Sequence, residues 1–196
     1  FVLDRLAKEG MKLKCHYAAP VCSPSRACLM TGCYPKRVLP IASVLFPAAA
    51  LGVNPKEETV AEVLKTVGYS TMCIGKWHLG DRDGRYPHQR GFDEWYGIPR
   101  TSHESRHVET PGFDPRVSTI PMVMQGKSGS PSEDVKVYDI QARRLIDSEL
   151  IERSIAFLQR QAGSRQPFFL YVPLTHLHFP TLPHPEFAGK SGVSEF

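Results

Sequence analysis

Helix and strand signals alternate along this chain, and that order restricts it to an open sheet with crossover helices. Thr59-Val60-Ala61-Glu62 is a capping box, and Val60, Val63, Leu64 and Val67 form an apolar stripe at helical spacing that Gly68 ends. Tyr69 to Gly75 then reads as a buried strand. A second helix is predicted over Ser148 to Ala162, with Ile151, Ile155, Leu158 and Ala162 on one side and Gly163 after it. Phe168 to Leu174 follows as a short strand. Nearer the start, Leu3, Leu6 and Ala7 share the face of a helix closed by Gly10, and Met11, Leu13, Cys15 and Tyr17 alternate as in a strand. Ser23-Pro24 reads as an N-cap with proline at the first helical position, and Gly32 as the stop. The expected fold is therefore α/β: a mostly parallel sheet flanked by helices. Residues 1–196 read as a single domain, with a loop-rich insertion at about 81–135, where Pro, Gly, Ser and charge dominate.

Composition removes several classes of function. A formal net charge of +4, with no Lys/Arg block interleaved with aromatics, lacks the footprint of a nucleic-acid binder. The longest apolar stretch, Val38 to Val53, is interrupted by Pro40, Ser43, Pro47 and Gly52. It is too short and too broken for a membrane span and reads as an irregular apolar loop. No basic segment followed by an apolar run opens the chain, so no export signal is visible. The five cysteines are odd in number and have no C-x-x-C spacing, which favours neither a disulfide framework nor a zinc site.

Ligands of parallel sheets gather at the carboxyl ends of the strands. Three chemically active groups fall at the predicted ends here: Cys22 to Arg26, Lys76 to His78, and His176 to His178. Cys22 lies just ahead of a predicted helix start, where unpaired N–H groups and the helix dipole acidify a thiol and hold an oxyanion. Arg26, one turn further, adds a rigid fork of donors suited to a tetrahedral anion.

Cys22-Ser23-Pro24-Ser25-Arg26, followed by Ala27-Cys28-Leu29-Met30-Thr31-Gly32, resembles the C-x-P-S-R signature of type I sulfatases. Gly75-Lys76-Trp77-His78-Leu79-Gly80 is similar to the family's second signature, and Gly91-Phe92-Asp93-Glu94-Trp95-Tyr96-Gly97 to the segment after it. Pro167 to Pro180 resembles the strand that delivers the family's sulfate-binding histidine. The pattern is closest to the arylsulfatase A type, with an alkaline-phosphatase-like fold.

The resemblance implies that Cys22 is oxidised by a formylglycine-generating enzyme to Cα-formylglycine. One hydroxyl of its hydrate attacks the sulfur of a sulfate ester, and the second lets the covalent sulfo-enzyme adduct collapse. It further implies that Arg26 and Lys76 orient the hydrate and neutralise developing charge. His78 would take a proton on collapse, and His178 would bind sulfate and protonate the leaving oxygen. Ser102 and His176 would touch the substrate, an aryl sulfate or a sulfated glycan. The family's calcium ion would be bound by position 22, as formylglycine, together with aspartates and an asparagine.

This chain departs from that pattern. It has no Asp-Asp or Asp-Asn dipeptide, and its only asparagine is Asn54. It is expected to be an internal fragment of a catalytic domain, incomplete at both ends, with apolar sheet edges exposed and little activity alone. The intact enzyme is expected in the periplasm, the extracellular space or the lysosome. The competing readings are a phosphatase or phosphodiesterase on the same scaffold, which would use Ser or Thr as nucleophile; a thiol enzyme using Cys22 directly; and a non-catalytic anion-binding remnant.

Overall fold

Six consecutive buried residues, Thr71 to Lys76, need neighbours on both faces, the mark of a central strand. The computed structural model describes residues 2–41, 43–47 and 49–192. Along them run α1 (Val2–Glu9), α2 (Cys22–Thr31), the single turn α3 (Pro35–Val38), α4 (Val60–Thr66), β1 (Ser70–Lys76), β2 (Glu94–Ile98), β3 (Met122–Lys127), β4 (Glu133–Val137), α5 (Ile140–Ala162) and β5 (Phe168–Tyr171). The sheet order is β4-β3-β2-β1-β5. β1 is parallel to both β2 and β5, whereas β3 and β4 add on antiparallel, giving a mixed α/β sheet.

Each face carries its own core. On one, Ala27 and Met30 of α2, Ala61 of α4 and the buried Val38, Leu39, Leu45 and Val53 pack over Cys73, Trp77 and Trp95. On the other, Ala142, Ile146, Leu150 and Phe157 of α5 pack over Met72, Ile74, Tyr96 and Val123. The described residues of the broken apolar stretch thus cover one core without regular structure beyond Val38, as its prolines require.

Several local expectations are corrected. The strand at Met11 to Tyr17 does not form; Met11, Leu13 and Tyr17 are exposed, and His16 and Tyr17 line the mouth of a cleft instead. No strand of the described sheet lies beside them, so their alternation has no pairing partner. The second helix begins at Ile140, two turns before Ser148, because Asp139 caps it by accepting from the Ala142 amide at 2.8 Å. Its buried face is Ala142, Arg143, Ile146, Leu150, Ser154 and Phe157, whereas Ile151, Ile155 and Leu158 are about half exposed. The α4 capping box forms as expected, but Val63 and Val67 face solvent and Ala61 faces inward. A Cβ on Gly91 would stand 2.2 Å from the Glu62 nitrogen, so backbone meets backbone there and no side chain fits. The stretch 81–135 supplies β2, β3 and the start of β4 rather than loops alone; β2 and β3 carry Gly97 and Gly126 and lack clean alternation.

Candidate active site

The ends of β1, β2 and β5 approach more closely than side chains would allow. Gly75 pairs with Gly97, and a Cβ on Gly97 would lie 2.0 Å from the Gly75 carbonyl oxygen. A Cβ on Gly75 would lie 2.2 Å from the Pro173 carbonyl oxygen. Beyond this knot the backbone is pinned: Lys76 N donates to Pro173, Trp77 N to Ile98 and His78 N to Pro99, at 2.9, 2.9 and 3.0 Å. His78 is held at φ 58°, a left-handed conformation unusual outside glycine and a mark of functional sites.

That conformation aims the imidazole at Cys22. His78 Nε2 lies 2.8 Å from the Leu45 carbonyl oxygen, which can only accept, so Nε2 carries the proton. Nδ1 then faces Cys22 Sγ at 3.2 Å, where it accepts from the thiol while the ring is neutral and donates to the thiolate once the ring is protonated. The apolar lid loop thus fixes the tautomer through one backbone carbonyl, a partner that no side-chain pattern reveals.

Cys22 is the first residue of α2 rather than the residue ahead of it; Val21 is the N-cap. Ser23 does not cap the helix. Buried, it accepts from the Leu45 amide and ties α2 to the same loop. Arg26, a turn later, donates from Nη1 to the Lys76 carbonyl and to the Tyr171 hydroxyl, so it bridges the ends of β1 and β5. Lys76 is buried, at 2% exposure.

These groups set one another's charge. Burial pushes the Cys22 thiol up, but hydrogen bonding from His178 and His78 and the charges of His78 and Lys76 outweigh it and bring it down to about 4. Burial brings Lys76 down to about 8; the Cys22 thiolate opposes this, and Arg26 and Arg143 reinforce it. Cys22, Arg26, Lys76, His78 and His178 are therefore one electrostatic unit. A cleft of about 610 Å³, lined by His16, Tyr17, Cys22, Arg26, Tyr171 and Pro173 among others, opens onto it.

Two predicted contacts fall elsewhere. Ser102 is fully buried and donates to the Thr175 carbonyl at 3.3 Å, so it braces the loop after β5 and is closed to substrate. His176 commits both ring nitrogens, Nδ1 to Asp147 at 2.6 Å and Nε2 to the Leu182 carbonyl at 2.8 Å. Neither nitrogen is left for an anion.

Two residues that carry no motif signal hold this loop. Arg143, fully buried, donates to the Thr175 hydroxyl at 2.8 Å, to the Thr175 carbonyl at 3.2 Å and to the His178 carbonyl at 3.0 Å. Asp147, one turn on along α5, accepts from the backbone N–H and side chain of both Thr175 and His176. Burial works against the Asp147 carboxylate, yet those hydrogen bonds hold it well below the usual range. Their i, i+4 spacing is readable in the sequence, but not its placement beneath the His178 loop.

A mixed sheet covered on both faces, with Cys22 at a helix start facing His78 and with Arg26 tied to the end of β1, is a sulfatase-like scaffold. The chain belongs to the sulfatase family, whose model matches residues 2–195. It is 37% identical to Arylsulfatase G of Homo sapiens over 195 residues, covering 91% of this chain and 36% of that protein. It is 33% identical to N-acetylgalactosamine-6-sulfatase of Canis lupus familiaris, covering 96% of this chain and 37% of that one. A solved sulfatase from Pseudoalteromonas sp. superposes with a TM-score of 0.83 at 28% identity, over 96% of this chain and 40% of its own. The chain thus spans a little over a third of the curated relatives it matches.

The family generally uses formylglycine and calcium. Around Cys22 an accepting imidazole nitrogen, an ammonium and a second imidazole fit a hydrated formyl group at that position. Calcium is different, since it takes six or more oxygen ligands. Among the described residues no group of three or more His, Cys, Asp or Glu side chains could hold an ion, and the donors meeting at Cys22 are nitrogens. On their own these residues do not fit calcium.

Proposed function

We propose that this chain carries the nucleophile and the charge-neutralising half of the active site of a sulfuric ester hydrolase. The observation that carries the reading is the 3.2 Å approach of His78 Nδ1 to Cys22 Sγ, with Arg26 locked to the Lys76 carbonyl beside it. Converted to formylglycine by a maturing enzyme, position 22 would supply a hydrated aldehyde as nucleophile. Lys76, buried at the end of β1, would place its ammonium where the non-bridging oxygens of a sulfo group gather charge. Arg26 fixes the floor beneath that group. His78 Nδ1 takes a proton from the residue at position 22, because Nε2 is already committed to Leu45. His178, on a loop held by Arg143, gives a proton to the departing oxygen.

The substrate we propose is a sulfated sugar, in keeping with the name of the N-acetylgalactosamine-6-sulfatase relative. The working compartment is the periplasm, the extracellular space or the lysosome, as the family resemblance implies; no helix among the described residues is long and apolar enough to cross a membrane. The test is expression of the protein beside a formylglycine-generating enzyme, with mass spectrometry of the Cys22 peptide and an assay on 4-nitrophenyl sulfate. Loss of the thiol sulfur and gain of an aldehyde at Cys22 are expected, with release of sulfate only where the rest of the catalytic domain is supplied. A Cys22 that stays a thiol beside the maturing enzyme would overturn the catalytic reading.

A further inference from the structure

The 3-10 helix over Ser102–Glu109 and the loop carrying His178 meet outside the cluster at Cys22, and their contact is made of cations and an aromatic ring. The His103 ring stacks on Phe179, with centroids 5.7 Å apart and planes 25° apart. The Arg106 guanidinium lies 5.5 Å from the centre of the same ring. His107 meets His103 edge-on at 6.1 Å. Phe179 directly follows His178 in the chain and stays 49% exposed, and Leu177 on the other side of His178 is 94% exposed. The wall therefore begins at the residue after the proposed proton donor.

Its charge is one-sided. Among the described residues neither Arg106, His103 nor His107 is paired with a carboxylate. The acid nearest in sequence, Glu104, is buried and held by both oxygens on Arg100, which also pairs with Asp81. Burial pushes the His103 imidazole down, and the positive charges of Arg106 and His178 push it further. His107 follows the same course through burial, His103 and Arg100. An exposed guanidinium beside two imidazoles, none of them paired with a carboxylate among the described residues, leaves positive charge without a counter-ion. An arginine serving only to pack on Phe179 needs no such setting.

We infer that His103, Arg106 and Phe179 form a binding site for the leaving-group side of the substrate, and that it takes a sugar carrying a second oxyanion, a sulfate or a carboxylate, beside the ester that is cleaved. The exposed edge of Phe179 supports the apolar face of a sugar ring. Arg106 offers its fork to the second oxyanion, and the largely neutral His103 donates a hydrogen bond to it. This rests on the hydrolase reading for which group is cleaved, but binding can be measured without turnover.

The test is calorimetric titration of the matured protein with three probes: a monosulfated galactose, a disulfated galactose and a sulfated uronic acid. The same titrations are run on Arg106→Gln and His103→Phe. The disulfated sugar or the uronic acid, according to which oxyanion fits, should bind about tenfold more tightly than the monosulfated probe. Arg106→Gln should abolish that difference while leaving affinity for the monosulfated sugar within about twofold. His103→Phe, which keeps the stacking on Phe179, should lose about half of the preference in logarithmic terms. Equal affinity of the wild-type protein for all three probes overturns the inference. So does an equal loss for every probe in Arg106→Gln, since that marks a packing role. Selective binding together with failure of Cys22 to convert to formylglycine would sink the hydrolase reading and leave this site standing.

Discussion

Cys22 Sγ and His78 Nδ1 stand 3.2 Å apart although 56 residues separate them in sequence, and His78 reaches that position in a left-handed backbone conformation. The pair is oriented from outside itself, through the Leu45 carbonyl on Nε2 and the Ser23 hydroxyl that accepts from Leu45. A helix start, a strand end and an irregular apolar loop meet at one sulfur atom.

The unmatured thiol should therefore be a thiolate at neutral pH. Its folded value of about 4 lies below the ordinary 9.0, so between those values the folded chain binds fewer protons than the unfolded one. This group's contribution to stability is fully present above pH 9 and is lost as pH falls toward 4. Peptide-resolved alkylation with iodoacetamide should show a Cys22 inflection near the lower value, with the other four cysteines as internal controls. His78→Ala should move that inflection upward; an inflection of the wild-type protein at about 8 would contradict the geometry.

Lys76 should govern anion binding from a low set point. Its ammonium loses its proton at about 8, so sulfate affinity should fall as pH rises through that value. The Cys22 thiolate holds this value up, and Cys22→Ala should shift the midpoint lower. Calorimetry with inorganic sulfate across that range reads both midpoints, and Lys76→Met should flatten the profile.

The glycine knot below the site should tolerate no side chain. Gly97→Ala would drive a methyl group into the Gly75 backbone, which cannot swing aside as a flexible side chain can. Urea unfolding should show a loss of about 3 kcal/mol, the upper range for overpacking. Gly68→Ala, at a helix end with open space around it, should cost less, about 1 kcal/mol from its positive φ.

Arg143 and Asp147 should prove more important to the His178 loop than any residue of the loop itself. Arg143→Met leaves the Thr175 and His178 carbonyls without their donor inside the protein, at a cost of about 2–3 kcal/mol in urea unfolding. Asp147→Asn keeps the shape but removes the charge that raises His176, so the His176 titration followed by NMR should move down. His176 is stabilising while protonated; that contribution is present below its ordinary value and disappears as pH climbs through its raised one.

The motifs at Cys22–Arg26, Lys76–His78 and His176–His178 are legible as strand-end chemistry because each sits beside a strong local signal: a helix start, a buried strand, an aromatic strand. The capping box at Thr59 is equally plain, since both of its hydrogen bonds are local. What stays hidden is governed by distant contacts. Ser102 resembles a polar position of the family after Gly97, but in the structure it is buried against Thr175. β2 to β4 are obscure because their residues take a strand conformation from neighbours in the sheet rather than from their own alternation. The half-exposed stripe of Ile151, Ile155 and Leu158 reads as the inner face of α5, while the true inner face holds an arginine that only its carbonyl and hydroxyl partners make tolerable.

The order of residues alone determined the alternating layers, the helix caps, the cysteine at a helix start and the set of side chains able to handle an oxyanion, because these depend on spacings of a few residues. Only the folded arrangement decided which nitrogen of His78 faces the sulfur, that His176 is tied to Asp147, and that Lys76 is buried. Those outcomes depend on burial and on hydrogen-bond partners brought from dozens of residues away, and no local pattern encodes them.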